Sequence, residues 1–135
     1  MEFSFENWEN LPSLAEADAR TLAETMRDIL DAKKAKNAVV LHVTAKSDIT
    51  DYLVLASANT ATHVHALADE LEFRMAQRGV TPLHADGRNA RSWQVVDFGT
   101  VMVHIFDREA REFYNLDKLY RDTEELDAVS ESERG

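Results

Sequence analysis

The chain has 135 residues, of which 44% are hydrophobic, and its 25 acidic residues against 15 Lys and Arg give a formal charge of −10. That length supports one domain with one core, which needs no metal or disulfide to fold. With no cysteine in the sequence, disulfides, thiol nucleophiles and thiolate zinc sites are excluded, and the composition fits a reducing compartment. The negative charge opposes approach to exposed phosphates and favours a basic protein as partner.

No stretch approaches the ~18 consecutive apolar residues of a membrane span. Met1 to Pro12 has neither the charged start and apolar run of a signal peptide nor the Arg-rich character of a transit peptide. A soluble, cytoplasmic protein is expected. Residues 1–12 carry Phe3, Phe5 and Trp8 without a period and read as a tail lying partly over the domain. Ser13-Leu14-Ala15-Glu16 matches a capping box and predicts a helix opening there. Its apolar stripe is Ala19, Leu22, Ala23, Met26, Ile29 and Leu30.

Past Asn37 the period changes. Ala38 to Thr44 reads as a strand, Lys46 to Asp51 as a loop, and Tyr52 to Ser57, nearly all apolar, as a strand interior to the sheet. Asn59 or Thr60 caps a second helix with the stripe Val64, Leu67, Ala68, Leu71 and Met75, which ends at Gly79. Leu83 to Ala85 can pair briefly with the sheet, and Asp86-Gly87 turns the chain into a small basic loop with Arg88 and Arg91.

Ser92 to Phe106 reads as a hairpin, with Gly99-Thr100 at the two central positions of a type II′ or I′ turn. That turn pairs Asp97 with Met102, Val95 with His104 and Trp93 with Phe106. Alternation then puts Val96, Phe98, Val101, Val103 and Ile105 on one face and Trp93, Val95, Asp97, Met102, His104 and Phe106 on the other. Asp107 caps a short helix through Arg111 to Tyr114, and Leu116 to Tyr120 adds a turn. The expected organisation is a tail over 1–12, one domain over 13–121 and an acidic, mobile tail over 122–135. The fold class is α/β in the α+β sense, a single mixed five-stranded sheet flanked by helices.

The residues give little support to an enzyme. His63 and His65 are two apart on a helix, where side chains diverge, so no metal site is expected among the five histidines. Asp97 and His104 are two pairs apart and lack a nucleophile on their face. Asp48 and Asp51 fit turn formation better than metal binding. Ser57-Ala58-Asn59-Thr60 lacks the glycine and lysine of a phosphate loop. No cofactor is implied. The mixed aromatic and polar face, beside Arg111, Tyr114 and Tyr120, has the composition of an interface anchor. The blander alternative is that terminal helices cover it.

Asp31 to Tyr120 resembles the ribosomal silencing factor, or Iojap-like, family. The matching segments are KKAKNAVVLHV from Lys33, SDITDYLVLASANTATHVHALADELE from Ser47, Asp86-Gly87, and WQVVDFGTVMVHIF from Trp93, followed by Arg111, Tyr114, Leu116 and Leu119. The family usually has Gly at Ala58, Glu at Asp86 and Trp at Tyr120. The resemblance implies a nucleotidyltransferase-like fold without catalytic acids. It also implies docking on the large ribosomal subunit through its universal protein fourteen, a block to subunit joining, repression of translation under nutrient limitation, and a homodimer when free. The partner-binding residues expected are Trp93, Asp97, Met102, His104, Phe106, Arg111, Tyr114, Leu116, Lys118, Leu119 and Tyr120. The competing expectation is a nucleotidyltransferase-like enzyme or nucleotide-binding protein.

Overall fold

The structure, a computed structural model, describes residues 12–43, 50–86, 92–116 and 124–125. Its elements in chain order are α1 (Ala19–Ala32), β1 (Lys36–His42), β2 (Tyr52–Ala58), α2 (Ala61–Gln77), β3 (His84–Asp86), β4 (Trp93–Asp97), β5 (Val101–Asp107), α3 (Arg108–Tyr114) and β6 (Glu124–Glu125). The strands form one mixed sheet in the order β3-β4-β5-β2-β1-β6. To the five strands expected it adds a two-residue sixth, which pairs Glu124 and Glu125 with His42 and Leu41.

β2 and β5 run parallel at the centre, from Tyr52 opposite Val101 to Ala58 opposite Asp107, and every other pairing is antiparallel. A strand buried on both faces must be apolar throughout, and Leu53 to Ala58 are all buried. The hairpin has the register its turn dictates: Trp93 opposite Phe106, Val95 opposite His104 and Asp97 opposite Met102. Gly99 takes φ +94°, a conformation that L side chains resist, and the Asp97 carboxylate accepts its amide at 2.8 Å.

Both long helices lie on one face of the sheet. Ala23, Met26, Ile29 and Leu30 of α1 and Val64, Leu67, Ala68, Leu71 and Met75 of α2 pack on Val40, Val54, Ala56, Val96, Val101, Val103 and Ile105. Those helix stripes are the ones the 3.6-residue period predicts. Between the helices, Glu70 binds the buried Arg74 and lies 3.8 Å from Lys33. No described helix is long and apolar enough to cross a membrane.

The first helix starts later than the capping box predicts. Asp18 is the cap, accepting the Thr21 amide at 2.9 Å, while Ser13 caps only a turn by accepting the Ala15 amide at 3.1 Å. The reason is tertiary: Leu14 is drawn into the core, and its amide donates to the Arg78 carbonyl at 2.7 Å, so residues 13–16 cross the end of α2 before α1 can begin. Thr60 caps α2 as expected, accepting the His63 amide at 3.0 Å.

Gly79 holds that crossing together. Its φ is +86°, and a Cβ there would meet Ser13 Oγ at 2.9 Å. Gly79→Ala is expected to destabilise the fold by about 1–3 kcal/mol through backbone strain and displacement of the Ser13 turn, read as a lower urea midpoint. A change within about 0.5 kcal/mol, the range of an indifferent surface substitution, would show that the crossing contributes nothing.

Candidate functional site

The sheet face opposite α1 and α2 carries a second, smaller cluster. Leu41, Val43, Leu53, Leu55 and Phe106 are buried there with Ala110 of α3, and Val39, Trp93, Met102 and Leu116 border them half-buried. Alternation along β1, β2, β4 and β5 puts these residues on one side, because residues two apart share a face. The expected division of the hairpin is therefore the observed one.

Three rings form the centre of this face. The Trp93 indole N–H donates to His104 Nδ1 at 3.0 Å. Trp93 also packs against Phe106 at a centroid separation of 5.1 Å, and His104 lies nearly parallel to Phe106 at 6.0 Å. Trp93 pairs across the ladder with Phe106 while His104 pairs with Val95, so the indole–imidazole bond runs along a diagonal of the hairpin. Diagonal neighbours are within reach of long side chains, a rule that finds this bond in the sequence once the register is set.

His104 is 9% exposed, and burial pushes its pKa down to about 4. The imidazole is therefore neutral near pH 7. Its Nδ1 must carry the lone pair that accepts from the indole, since indole N–H only donates. Asp97 serves the backbone instead, its carboxylate closing the β4–β5 turn on Gly99. Asp97 and His104 thus share a face but are held by different partners, and they do not form a relay.

Phe106 corrects the simple picture of an exposed contact surface. It is wholly buried, because Asp107 caps α3 through the Ala110 amide at 2.8 Å and turns the chain back so that Ala110 packs into the Phe106 cluster. Phe106 supports the face from beneath, while Trp93 and Met102 present it. Of the expected face, Phe106 is covered, while Trp93 and Met102 are half-buried.

Arg111 lies at the end of the face where β2 finishes. Its Nη1 donates to the Asn37 carbonyl at 2.7 Å, at a bulge in β1 where Asn37 takes φ +51°. Arg111 lines a polar cavity of about 310 Å³ with Asn37, Ser57, Arg108, Glu112 and Asn115. Tyr114 is the last residue of α3 and Leu116 packs on the cluster, whereas Lys118, Leu119 and Tyr120 lie outside the described residues, as do Asp48 and the Arg88 and Arg91 loop. Sequence reasoning missed Phe113, 80% exposed beside Ser92, Glu109 and Ala110. A seven-residue helix is too short for its period to assign a face.

Three of the remaining histidines have structural partners. His63 Nε2 lies 2.9 Å from the Lys33 carbonyl, His65 Nδ1 lies 2.6 Å from the amide of the buried Gln94, and His42 stacks on Tyr52 at 4.7 Å. Among the described residues, no three His, Asp or Glu side chains come together as a metal site. Ser57 and Thr60, the hydroxyls of the run before α2, are occupied by the Lys36 carbonyl and the helix cap.

Comparison with known proteins supplies the context for this face. Residues 16–135 match the family model described as ribosomal silencing factor during starvation. The chain is 36% identical over 99 residues to the ribosomal silencing factor of Haemophilus influenzae, covering 73% of this chain and 97% of that one. It is 30% identical over 95 residues to mouse mitochondrial assembly of ribosomal large subunit protein 1, covering 68% of this chain and 42% of that protein. A crystal structure of a Chromobacterium violaceum protein superposes with a TM-score of 0.73 at 21% identity, over 76% of this chain and 86% of that one. That last likeness concerns the fold alone.

The buried imidazole makes stability depend on pH. Because burial depresses the folded pKa to about 4 from an unfolded value near 6.5, its contribution is complete above about pH 6.5 and is lost as the pH falls towards 4. Wild type is expected to lose up to about 3 kcal/mol relative to His104→Gln over that interval, measured by urea unfolding of both proteins at each pH. Parallel curves for the two would mean that His104 is not buried as a neutral ring.

Proposed function

The chain belongs to the ribosomal silencing factor family, a regulatory rather than an enzymatic family, and from that premise we propose that it represses translation by docking on the large ribosomal subunit. In this reading it binds the subunit's universal protein fourteen, blocks joining of the small subunit under nutrient limitation, and is a cytoplasmic homodimer when free. The observation that carries the reading is the aromatic and imidazole face of β4 and β5, on the side of the sheet that the two long helices leave uncovered. The name of the mouse relative, which ties it to assembly of the large subunit, supports the choice of partner.

The physical requirements are modest. A domain of this length has a radius of gyration of ~14 Å, too large to share a close interface between two subunits, so occupancy excludes the other subunit without chemistry. Trp93, Met102, Leu116 and the exposed Phe113 supply apolar contact area of the kind that dominates interface energetics. Arg111, Tyr114, Lys118, Leu119 and Tyr120 extend the contact from α3 onward. A charge of −10 steers the protein towards a basic ribosomal protein and away from ribosomal RNA. The nucleotidyltransferase-like scaffold serves here as a shape.

The test is sedimentation of purified large subunits with the protein, followed by addition of small subunits. Co-sedimentation with the large subunit and loss of joined ribosomes are expected, and Trp93→Ala combined with Tyr114→Ala should restore joining by weakening binding at least tenfold. Joining that is unaffected at saturating wild-type protein would overturn the reading. Full activity of the double variant would remove this face from it.

A further inference from the structure

We propose that His104 is the recognition donor of this face, its Nε2–H binding a backbone carbonyl of the large-subunit protein that docks there. The inference rests on the docking reading above and deepens it to one atom. The Trp93 indole donates to Nδ1 at 3.0 Å, which reserves that nitrogen's lone pair. A neutral imidazole with an acceptor at Nδ1 carries its proton on Nε2. Burial keeps the ring neutral, with its pKa near 4, so a single tautomer is populated at physiological pH.

The two ring nitrogens project from opposite sides of the imidazole, so Nε2–H is directed away from the indole. Among the described residues it has no hydrogen-bond partner, although the side chain is only 9% exposed. An N–H that is nearly desolvated and unpaired is costly, and an acceptor brought to it recovers that cost. The apolar rings of Trp93 and Phe106 beside it lower the local polarity and strengthen such a bond. Among the described residues the fold uses Nδ1 to hold Trp93 and gives the other nitrogen no partner.

The choice of acceptor follows from charge. A phosphate or carboxylate oxygen would have to approach a body of charge −10, whereas a backbone carbonyl brings no charge. An apolar partner surface would leave the donor buried and unsatisfied. The imidazole therefore discriminates between partners by what it penalises as well as by what it binds.

The experiment compares wild type, His104→Leu and His104→Gln for binding to purified large subunits, with urea unfolding run in parallel. Gln preserves both functions, an oxygen to accept from Trp93 and an N–H to donate. His104→Leu is expected to bind about tenfold more weakly while still unfolding cooperatively, with at most a modest fall in its urea midpoint as the Trp93 N–H loses its acceptor. His104→Gln is expected to recover most of the affinity. His104→Met serves as a second apolar variant if the leucine protein does not fold. In nitrogen-15 spectra of the free wild-type protein, His104 should be the Nε2–H tautomer. Equal binding by the apolar variant, or an Nδ1–H tautomer, would overturn the assignment while leaving docking intact. If wild type itself fails to co-sediment, docking fails and this assignment fails with it.

Discussion

The parallel pairing of β2 with β5 is the constraint on which the rest of the structure depends. Two strands in parallel need a long crossover, and here α2, β3 and β4 lie between them in the chain. That crossover puts α2 on the same face as α1, leaving the opposite face to α3 alone among the described helices. The register, Leu53 opposite Met102 and Leu55 opposite His104, then sets which residues of β5 share that second face. Slipping the register by one residue would exchange Val103 and Ile105 for Met102 and His104, turning the imidazole into the main core.

The two faces obey different rules as a result. Under α1 and α2 the strands contribute Val, Ile and Ala with few polar groups, and the buried exception Gln94 is bonded to His65. On the other face a polar group is tolerated in the middle of an apolar cluster because a neighbour supplies its partner. Trp93 plays that part for His104, and the indole gains an acceptor for its own donor. Either residue alone would leave a polar atom stranded; together they leave only Nε2.

How much of this was legible in the sequence depends on how local the determining physics is. The hairpin register was legible because Gly99 can take a positive φ and period 2 does the rest. Both helix stripes were legible because the 3.6-residue period is equally local. The start of α1 was not, because Ser13 and Glu16 satisfy a local rule that Leu14 overrides by entering the core beside Arg78, a residue remote from it in sequence. The burial of Phe106 was hidden too, since it depends on the direction in which α3 leaves Asp107. Period 2 placed Trp93, Met102, His104 and Phe106 on one face and could not tell the supporting ring from the half-buried ones.

That distinction bears on how a face of this kind can exist in a free protein. A surface of three fully exposed rings would favour aggregation, while one fully covered would offer a partner nothing. Burying Phe106 and holding Trp93 against it by a ring contact and a hydrogen bond fixes the indole in place. Less side-chain entropy then remains to be lost on association, which is the main advantage of preorganisation. The area still available is that of Trp93 and Met102 with their neighbours, and each further Å² covered is worth about 25 cal/mol. A rigid, half-covered aromatic face thus limits exposed apolar area while keeping the indole preorganised, and it does so through the same β2–β5 register that stabilises the core.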